Sequence, residues 1–365
     1  MPLPISPRDA VPFEQLKRVI VVKLRHHGDV LLTSPVFSTL KAHYPHLELD
    51  ALVYAGTENM LSGLPEIAQI HTVVRRRELP NTSSYVRAER DLLHRLRDRR
   101  YDLLVHLTES WRGLFLANVL RPRYRVAYRY PNRATLWKRG FTHLVPNAGP
   151  RRHTVEKHLD ALRRLGLQPG LQERRLTLAI APDTHQRVAE KLAEHGIGDT
   201  QDAYIHVHPT SRWLFKCWER TKFAQTINLL SEHGFKVVLT AAPDPAETAF
   251  VADILAHVQY PIVNLAGQLN LKELAAVTTR AKCFVGVDSV PMHIAAAVQT
   301  PVVALFGPSG ETEWGPWKVT HKLVTTDYPC RPCGFDGCGG GKLSECLSDI
   351  PVSRVFNAVL ELVGK

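Results

Sequence analysis

Two rhythms of apolar and polar positions alternate along this chain: short unbroken runs of β-branched residues, and longer segments in which apolar residues recur every three or four positions. The first run, RVIVVKL at residues 18–24, reads as a strand buried on both faces. A helix over 35–43 follows, with Thr33 or Ser34 as its cap and Pro35 at its first position. Strands are predicted at 47–54 and 70–74, and an arginine-rich helix at 84–99 leads into another strand at 101–107. After a change of composition near residues 178–186, strands return at 204–208, 235–240, 282–288 and 301–306, and a last helix is predicted at 351–363. Strands alternating with helices imply βαβ units and parallel sheets, hence an α/β fold. A chain of 365 residues is too long for one ordinary core. The expected architecture is two Rossmann-like domains, 1–180 and 181–350, with their sheets facing a central cleft, and a terminal helix at 351–365 packing across the domains. No short repeat of fixed period is present, which argues against a solenoid.

Charge sharpens this division. The net charge is +11, but residues 1–180 hold 30 Lys and Arg against 16 Asp and Glu, whereas residues 181–365 hold 16 against 19. The excess peaks between residues 110 and 155, where Arg112, Arg121, Arg123, Arg125, Arg129, Arg133, Lys138, Arg139, Arg151 and Arg152 occur without one acid. Such a segment attracts a polyanion: nucleic acid, an anionic membrane surface or a phosphorylated glycolipid; the alternative is a solvated basic face. No apolar run approaches the ~20 residues that span a bilayer. The first residues, MPLPISPRDAVPFEQ, interleave prolines and acids where a signal peptide needs an apolar stretch, so a cytoplasmic location is expected. In a reducing compartment the spacing C-x2-C-x4-C-x7-C of Cys330, Cys333, Cys338 and Cys346 is expected to form a loop of reduced thiols. It is compact enough for zinc but lacks two C-x2-C knuckles separated by a longer loop.

Ligands of doubly wound sheets lie beyond the carboxyl ends of the strands, and four candidate sites end strands here. In VKLRHHGDVLLTSP, Gly28 allows a tight turn and Asp29 stands just before a helix start, where a carboxylate can take a proton from a bound hydroxyl or merely cap the helix. His26 and His27 beside it are read as acceptor-side or loop-packing residues. In HPTSRWLFK, Thr210, Ser211, Arg212 and Lys216 suit a phosphate or diphosphate. In GVDSVPMHIAAA, a strand runs through Asp288 into a helix beginning near Ser289, whose free amides and positive dipole end make an anion site that His293 can also reach. In TAAPDPAE, Asp244 or Glu247 is offered to a ribose hydroxyl. The GGGK at residues 339–342 fails as a phosphate-binding loop, because Asp336 replaces its first glycine and Leu343 its Ser/Thr. G-x-G-x-x-G after a strand, G-x-S-x-G and H-E-x-x-H are all missing, which removes the main support for dehydrogenase, hydrolase and zinc-protease chemistry.

Taken in order along nearly the whole chain, the strand followed by G-D, the H-P-T-S-R…K…W-E segment and the V-D-S…H segment resemble the ADP-heptose:lipopolysaccharide heptosyltransferases, two-domain GT-B glycosyltransferases. The opening stretch, YDLLVHLTESW and the late CRPCGFDGCGGGKLSECL are most similar to members that add the branching third heptose of the inner core; members acting on the first heptose are the runner-up. The resemblance implies Asp29 as catalytic base and Thr210, Ser211 and Lys216 as donor-phosphate ligands. It implies Asp288, Ser289, Val290 and His293 as a second phosphate-side loop, with Ser289 and Val290 standing where relatives have Thr-Gly. It also implies Leu269 beside the adenine and Asp244 or Glu247 on the ribose. Transfer would be direct and inverting, with charge on the departing diphosphate neutralised by Lys216 and the helix start, so that neither a metal nor a cofactor is expected. The acceptor is a phosphorylated, lipid-anchored inner core. Arg75, Arg76, Arg77, Arg121, Arg123, Arg125, Arg129 and Arg133 are therefore expected to include contacts to it or to the anionic inner membrane, with the protein cytoplasmic and peripheral there. A non-catalytic nucleic-acid binder would not explain the near-neutral second half, so no nucleic-acid partner is expected; a nucleotide-sugar epimerase of the same fold would be expected to carry more cleft acids.

Overall fold

The structure, a computed structural model, describes residues 7–130, 135–198 and 203–364. Contacts divide the chain into two compact units, Met1–Ala179 and Ile180–Lys365.

The amino-terminal unit runs β1 (Arg18–Lys23), α1 (His27–Leu31), α2 (Ser34–His43), β2 (Glu48–Tyr54), β3 (Ile67–Val73), α3 (Thr82–Asp98), β4 (Leu103–His106), α4 (Trp111–Leu120), β5 (Tyr124–Arg129), α5 (Thr135–Gly140), β6 (His143–Pro146) and α6 (Thr154–Arg164). Its six strands lie in the order β3-β2-β1-β4-β5-β6, all parallel. The unbroken β-branched run makes β1 a central strand, buried on both faces. The chain builds outward from β1 to β3, then crosses to β4 and builds the other way. The switch between β1 and β4 opens a crevice at their carboxyl ends. One face is covered by α3, α4 and α5, whose Leu92, Leu96, Leu114, Trp137 and Phe141 pack on Ile20, Val22 and Leu104. Trp137 is fully buried and donates its indole N–H to the Tyr128 carbonyl at 3.1 Å.

The carboxy-terminal unit runs α7 (Pro182–Glu194), β7 (Tyr204–His208), α8 (Arg220–Glu232), β8 (Lys236–Leu239), α9 (Pro245–Leu255), β9 (Val263–Asn264), α10 (Leu271–Arg280), β10 (Cys283–Val287), α11 (Val290–Ala297), β11 (Val302–Leu305), α12 (Glu311–Trp314), β12 (His321–Val324), α13 (Glu345–Ser348) and α14 (Val352–Val363). Its parallel sheet has the order β12-β11-β10-β7-β8-β9, with the switch between β7 and β10. The helix expected to cross the domains, α14, instead buries Val355, Phe356, Ala358 and Val359 in this unit's own core, beside Phe223, Ile227 and Leu230 of α8. Its apolar stripe is thereby used up within one unit.

Strands β6, β9 and β12 are short and at or next to the sheet margins, and they carried no strand signal in the sequence; β5, YRVAYR, carries Arg125 and Arg129 within an arginine-rich stretch and reads first as basic rather than as a strand. The helix predicted from residue 84 starts at Thr82, where Asn81 Oδ1 accepts the Ser84 N–H at 2.8 Å. Asp29 does not precede a helix: it lies inside the first turn of α1, and α2 begins at Ser34, with the Thr33 hydroxyl bonded back to the Val30 carbonyl rather than capping. The six cysteines are unpaired, and among the described residues no group of three or more His, Cys, Asp or Glu is placed to hold a metal ion. No helix of the described residues is long and apolar enough to cross a membrane.

Gly113, within α4, has no room for a side chain: a Cβ there would come within 1.3 Å of the buried His106 ring. Helix propensity favours alanine by ~1 kcal/mol, but overpacking against a fixed ring costs about 1–3 kcal/mol. Gly113→Ala is therefore expected to lower the urea midpoint of unfolding, and a raised midpoint would contradict this packing.

Candidate active site

The amino-terminal site starts from an anomaly in β1. Lys23 ends a strand of apolar residues and is buried, so its ammonium must find acceptors inside the protein. Three surround it. The Leu107 carbonyl just beyond β4 accepts at 3.1 Å, His158 Nε2 of α6 lies at 3.0 Å, and Asp29 Oδ1 of α1 lies at 3.5 Å. The Leu32 carbonyl lies 3.0 Å from His158 Nδ1, which fixes the proton on Nδ1 and leaves Nε2 as acceptor for Lys23. Burial, reinforced by the Lys23 charge, holds His158 neutral by pushing its pKa well below 6.5. Burial also lowers the Lys23 pKa, against an opposing pull from Asp29.

Asp29 thus sits at the carboxyl end of β1, at the sheet's switch point, with Lys23 beneath it and Arg25 Nε at 3.9 Å. Two cations thus flank the Asp29 carboxylate. Of the neighbouring histidines, His27 donates from Nε2 to the Gly56 carbonyl at 2.8 Å, which makes it a loop-packing residue, and His26 is the N-cap residue of α1.

The arginines divide by topology. All six strands run the same way, so residues after a strand lie on the Asp29 edge and residues before one lie on the opposite edge. Arg75 and Arg76, after β3, are on the Asp29 edge, Arg75 over the Tyr54 ring and bonded to Glu78, Arg76 bonded to Thr82. Arg121 and Arg123, between α4 and β5, lie at the far edge, against the expectation that they meet the acceptor. The stretch without acids is also less uniformly cationic in space than in sequence. Arg112 is gripped by both oxygens of Glu89 at 3.1 and 2.7 Å, and Arg152 pairs with Asp160 and Glu156. Arg133 lies outside the described residues.

In the carboxy-terminal unit three of the four candidate segments follow β7, β8 and β10, and Leu269 follows β9; these strands are neighbours with one common carboxyl edge. The structure joins them in pairs. Lys216 donates to Asp288 Oδ2 at 2.6 Å, across the switch point from β7 to β10. Thr210, buried, donates to Glu247 Oε2 at 2.6 Å, and the Ala242 N–H also lies within reach of that oxygen at 3.3 Å. Asp244 is the cap of α9, accepting from Ala246 N at 2.9 Å and Glu247 N at 3.3 Å. With its proton committed to Glu247, the Thr210 hydroxyl can offer a phosphate nothing to accept; only its backbone N–H can serve. Lys216 keeps two further N–H donors after serving Asp288. Ser289 is the N-cap residue of α11 and uses no side-chain cap bond; Pro291 has no N–H and the Met292 N–H is bonded to the Ser289 carbonyl at 3.2 Å, so of the first three helix positions only Val290 can bring an N–H to a ligand; His293 is buried in that helix and Leu269 is buried before α10.

Sequence reasoning missed the layer beneath. His208 lies between Thr210 Oγ1 at 3.3 Å and Thr240 Oγ1 at 2.8 Å, and His206 between Thr240 at 2.7 Å and Thr278 at 3.1 Å. This buried chain holds the Thr210 loop to the strands. Alternate polar residues in YIHVH were its one signal in the sequence. Lys23 was signalled only by its place in an apolar run.

The profile of glycosyltransferase family 9 (heptosyltransferase) matches residues 89–342. The chain is 38% identical over 296 residues to lipopolysaccharide heptosyltransferase 3 of Escherichia coli, covering 80% of this chain and 84% of that one. Among solved structures it resembles the glycosyl transferase family 9 protein of Veillonella parvula, with a TM-score of 0.83 and 22% identity over 97% of this chain and 99% of that one. It also resembles ADP-heptose lps heptosyltransferase II of E. coli, with a TM-score of 0.74 and 21% identity over 95% and 98%. The chain belongs to glycosyltransferase family 9, the heptosyltransferases.

Burial pushes His106 and His208 down to about 3, the Lys23 charge contributing at His106, and pushes His206 well below 6.5. Such a histidine takes a proton near pH 6.5 when unfolded and only near pH 3 when folded. Acid between those values therefore stabilises the unfolded chain, by about 1.4 kcal/mol per pH unit per histidine. Urea midpoints are expected to fall as the pH drops from 6.5 toward 3, and His106→Asn should flatten that fall by about one proton.

Proposed function

We propose that this chain transfers L-glycero-D-manno-heptose from ADP-L-glycero-β-D-manno-heptose to a heptose of the lipopolysaccharide inner core, adding the branching third heptose, with inversion and with Asp29 as general base. The observation that carries the reading is the Asp29 carboxylate at the switch point of the amino-terminal sheet, held between Lys23 and Arg25, in a chain of this family. The likeness to heptosyltransferase 3 favours the branching acceptor over the first heptose.

In this mechanism the acceptor oxygen attacks the anomeric carbon while its proton passes to Asp29. The bond from that carbon to the diphosphate breaks, and its electron pair leaves with ADP. Negative charge grows on the leaving diphosphate, where Lys216 and the positive end of α11, with the Val290 N–H, meet it. Asp288 positions Lys216, and Glu247 positions the Thr210 backbone. Lys23 is the positioning residue beneath Asp29. The ribose acid remains Asp244 or Glu247; Asp244 is the more exposed of the two and is the one we favour. Leu269 flanks the adenine, and Arg75, Arg76, Arg77 and Arg129 serve the anionic acceptor. Because that acceptor is anchored in lipid, the enzyme works peripherally at the cytoplasmic face of the inner membrane.

Incubation with ADP-heptose and truncated core acceptors, followed by mass spectrometry and linkage analysis, tests the reaction; a product without added heptose on a core heptose would reject it. Positioned bases contribute ~10²–10⁴-fold, so Asp29→Asn should lower kcat by about that factor and leave ADP affinity unchanged. Acceptor KM should rise steeply with salt while donor KM stays constant. A flat acceptor response would remove the arginines from the site.

A further inference from the structure

Helices α3, α4 and α5 share one face of the amino-terminal sheet, and each begins just after a strand, so their first turns crowd the same edge that carries Asp29. On those turns stand large apolar side chains turned to solvent: Val86 (57% exposed) on α3, Trp111 and Phe115 (47% each) on α4, and Leu136 (64%) on α5. Trp111 and Phe115 are four residues apart and share one side of α4. The Trp111 ring meets Trp137 edge-on at 5.8 Å, tying α4 to α5 next to Leu136. The Glu89–Arg112 pair ties α3 to α4. Exposed apolar residues gathered across three adjoining helices mark an interaction surface rather than scattered exposure.

Charge identifies the occupant. Arg87 and Arg90 on α3, and Lys138 and Arg139 on α5, are exposed beside these residues. The acid on this face facing α4, Glu89, is already neutralised by Arg112. Tryptophan, phenylalanine and leucine ringed by cations suit the interface of an anionic bilayer, where rings and aliphatic chains enter the headgroup boundary and the cations meet lipid phosphates.

We propose that the first turns of α3, α4 and α5 form a membrane-docking surface, in which Val86, Trp111, Phe115 and Leu136 insert into an anionic lipid leaflet on the edge of the sheet that bears Asp29. This deepens the reading that the acceptor is lipid-anchored, and rests on it for its purpose. Docking by this edge brings the base to the depth at which a membrane-anchored sugar emerges.

The test is flotation of the full chain with vesicles of phosphatidylcholine alone or mixed with phosphatidylglycerol, alongside heptose transfer to a deacylated, soluble core acceptor. The wild type should float with the mixed vesicles and not with the neutral ones. The triple variant Val86→Ser/Phe115→Ser/Leu136→Ser should bind them at least about tenfold more weakly, because each substitution loses apolar surface that would enter the leaflet. Its transfer to the soluble acceptor should be unchanged, which also reports that it is folded. Wild-type binding that the triple variant retains, or no wild-type binding, overturns the proposal. So does loss of soluble-acceptor transfer with vesicle binding intact, which would make the surface a saccharide site, or dispersal of a dimer by the variant, which would make it a subunit contact. Absence of soluble-acceptor transfer in the wild type would instead reject the proposed reaction, and leaves the flotation result to stand by itself.

Discussion

A buried ammonium organises the amino-terminal site. Taking Lys23 out of water is costly unless every N–H meets an acceptor, and its three partners come from three separate parts of the chain: the end of β4, helix α6, whose histidine is fixed in turn by the Leu32 carbonyl, and Asp29 of α1. The neutral state of His158 is part of this arrangement, because a protonated ring could not accept from Lys23. One lysine thereby determines which way the α1 carboxylate points and binds the two strands at the switch point together. The placement of Asp29 and the joining of β1 to the end of β4 rest on the same interaction.

The carboxy-terminal unit solves the opposite electrostatic problem. Its net charge is close to neutral, and in the proposed reaction its site would meet the growing negative charge of a departing ADP without carrying a large basic patch. The groups it presents are few and braced: Lys216 by Asp288, and the positive end of α11 by a strand running almost directly into the helix. Glu247 takes the proton of Thr210, so a hydroxyl that looks like a ligand becomes a strut for the backbone near it. The two buried histidines behind it, held neutral by their burial, continue that bracing into the sheet.

The basic character of the amino-terminal unit has two separate origins in space. Some arginines close the fold internally, as Arg112 does on Glu89 and Arg99 on the buried Asp50. Others stand free of such duties near the Asp29 edge, alongside exposed aromatic and aliphatic side chains. Only the second kind can act on an anionic acceptor or a lipid leaflet, and a count of charges along the sequence does not separate the two.

What the sequence by itself determined is the local part: the strands of β-branched residues such as RVIVVK, the alternation that makes parallel sheets, the glycines and acids at strand ends, and the order of motifs that marks the family. These follow from steric preference and periodicity within a few residues. Tertiary structure alone decided the partners. That His158 receives Lys23 across 135 positions, that Asp288 holds Lys216 across 72, and that Arg121 and Arg123 fall on the edge away from Asp29 depend on strand order and direction, which no local pattern encodes. Helix α14 shows the same division: its apolar stripe was legible as a stripe, but the face that covers it was set by the space left beside α8.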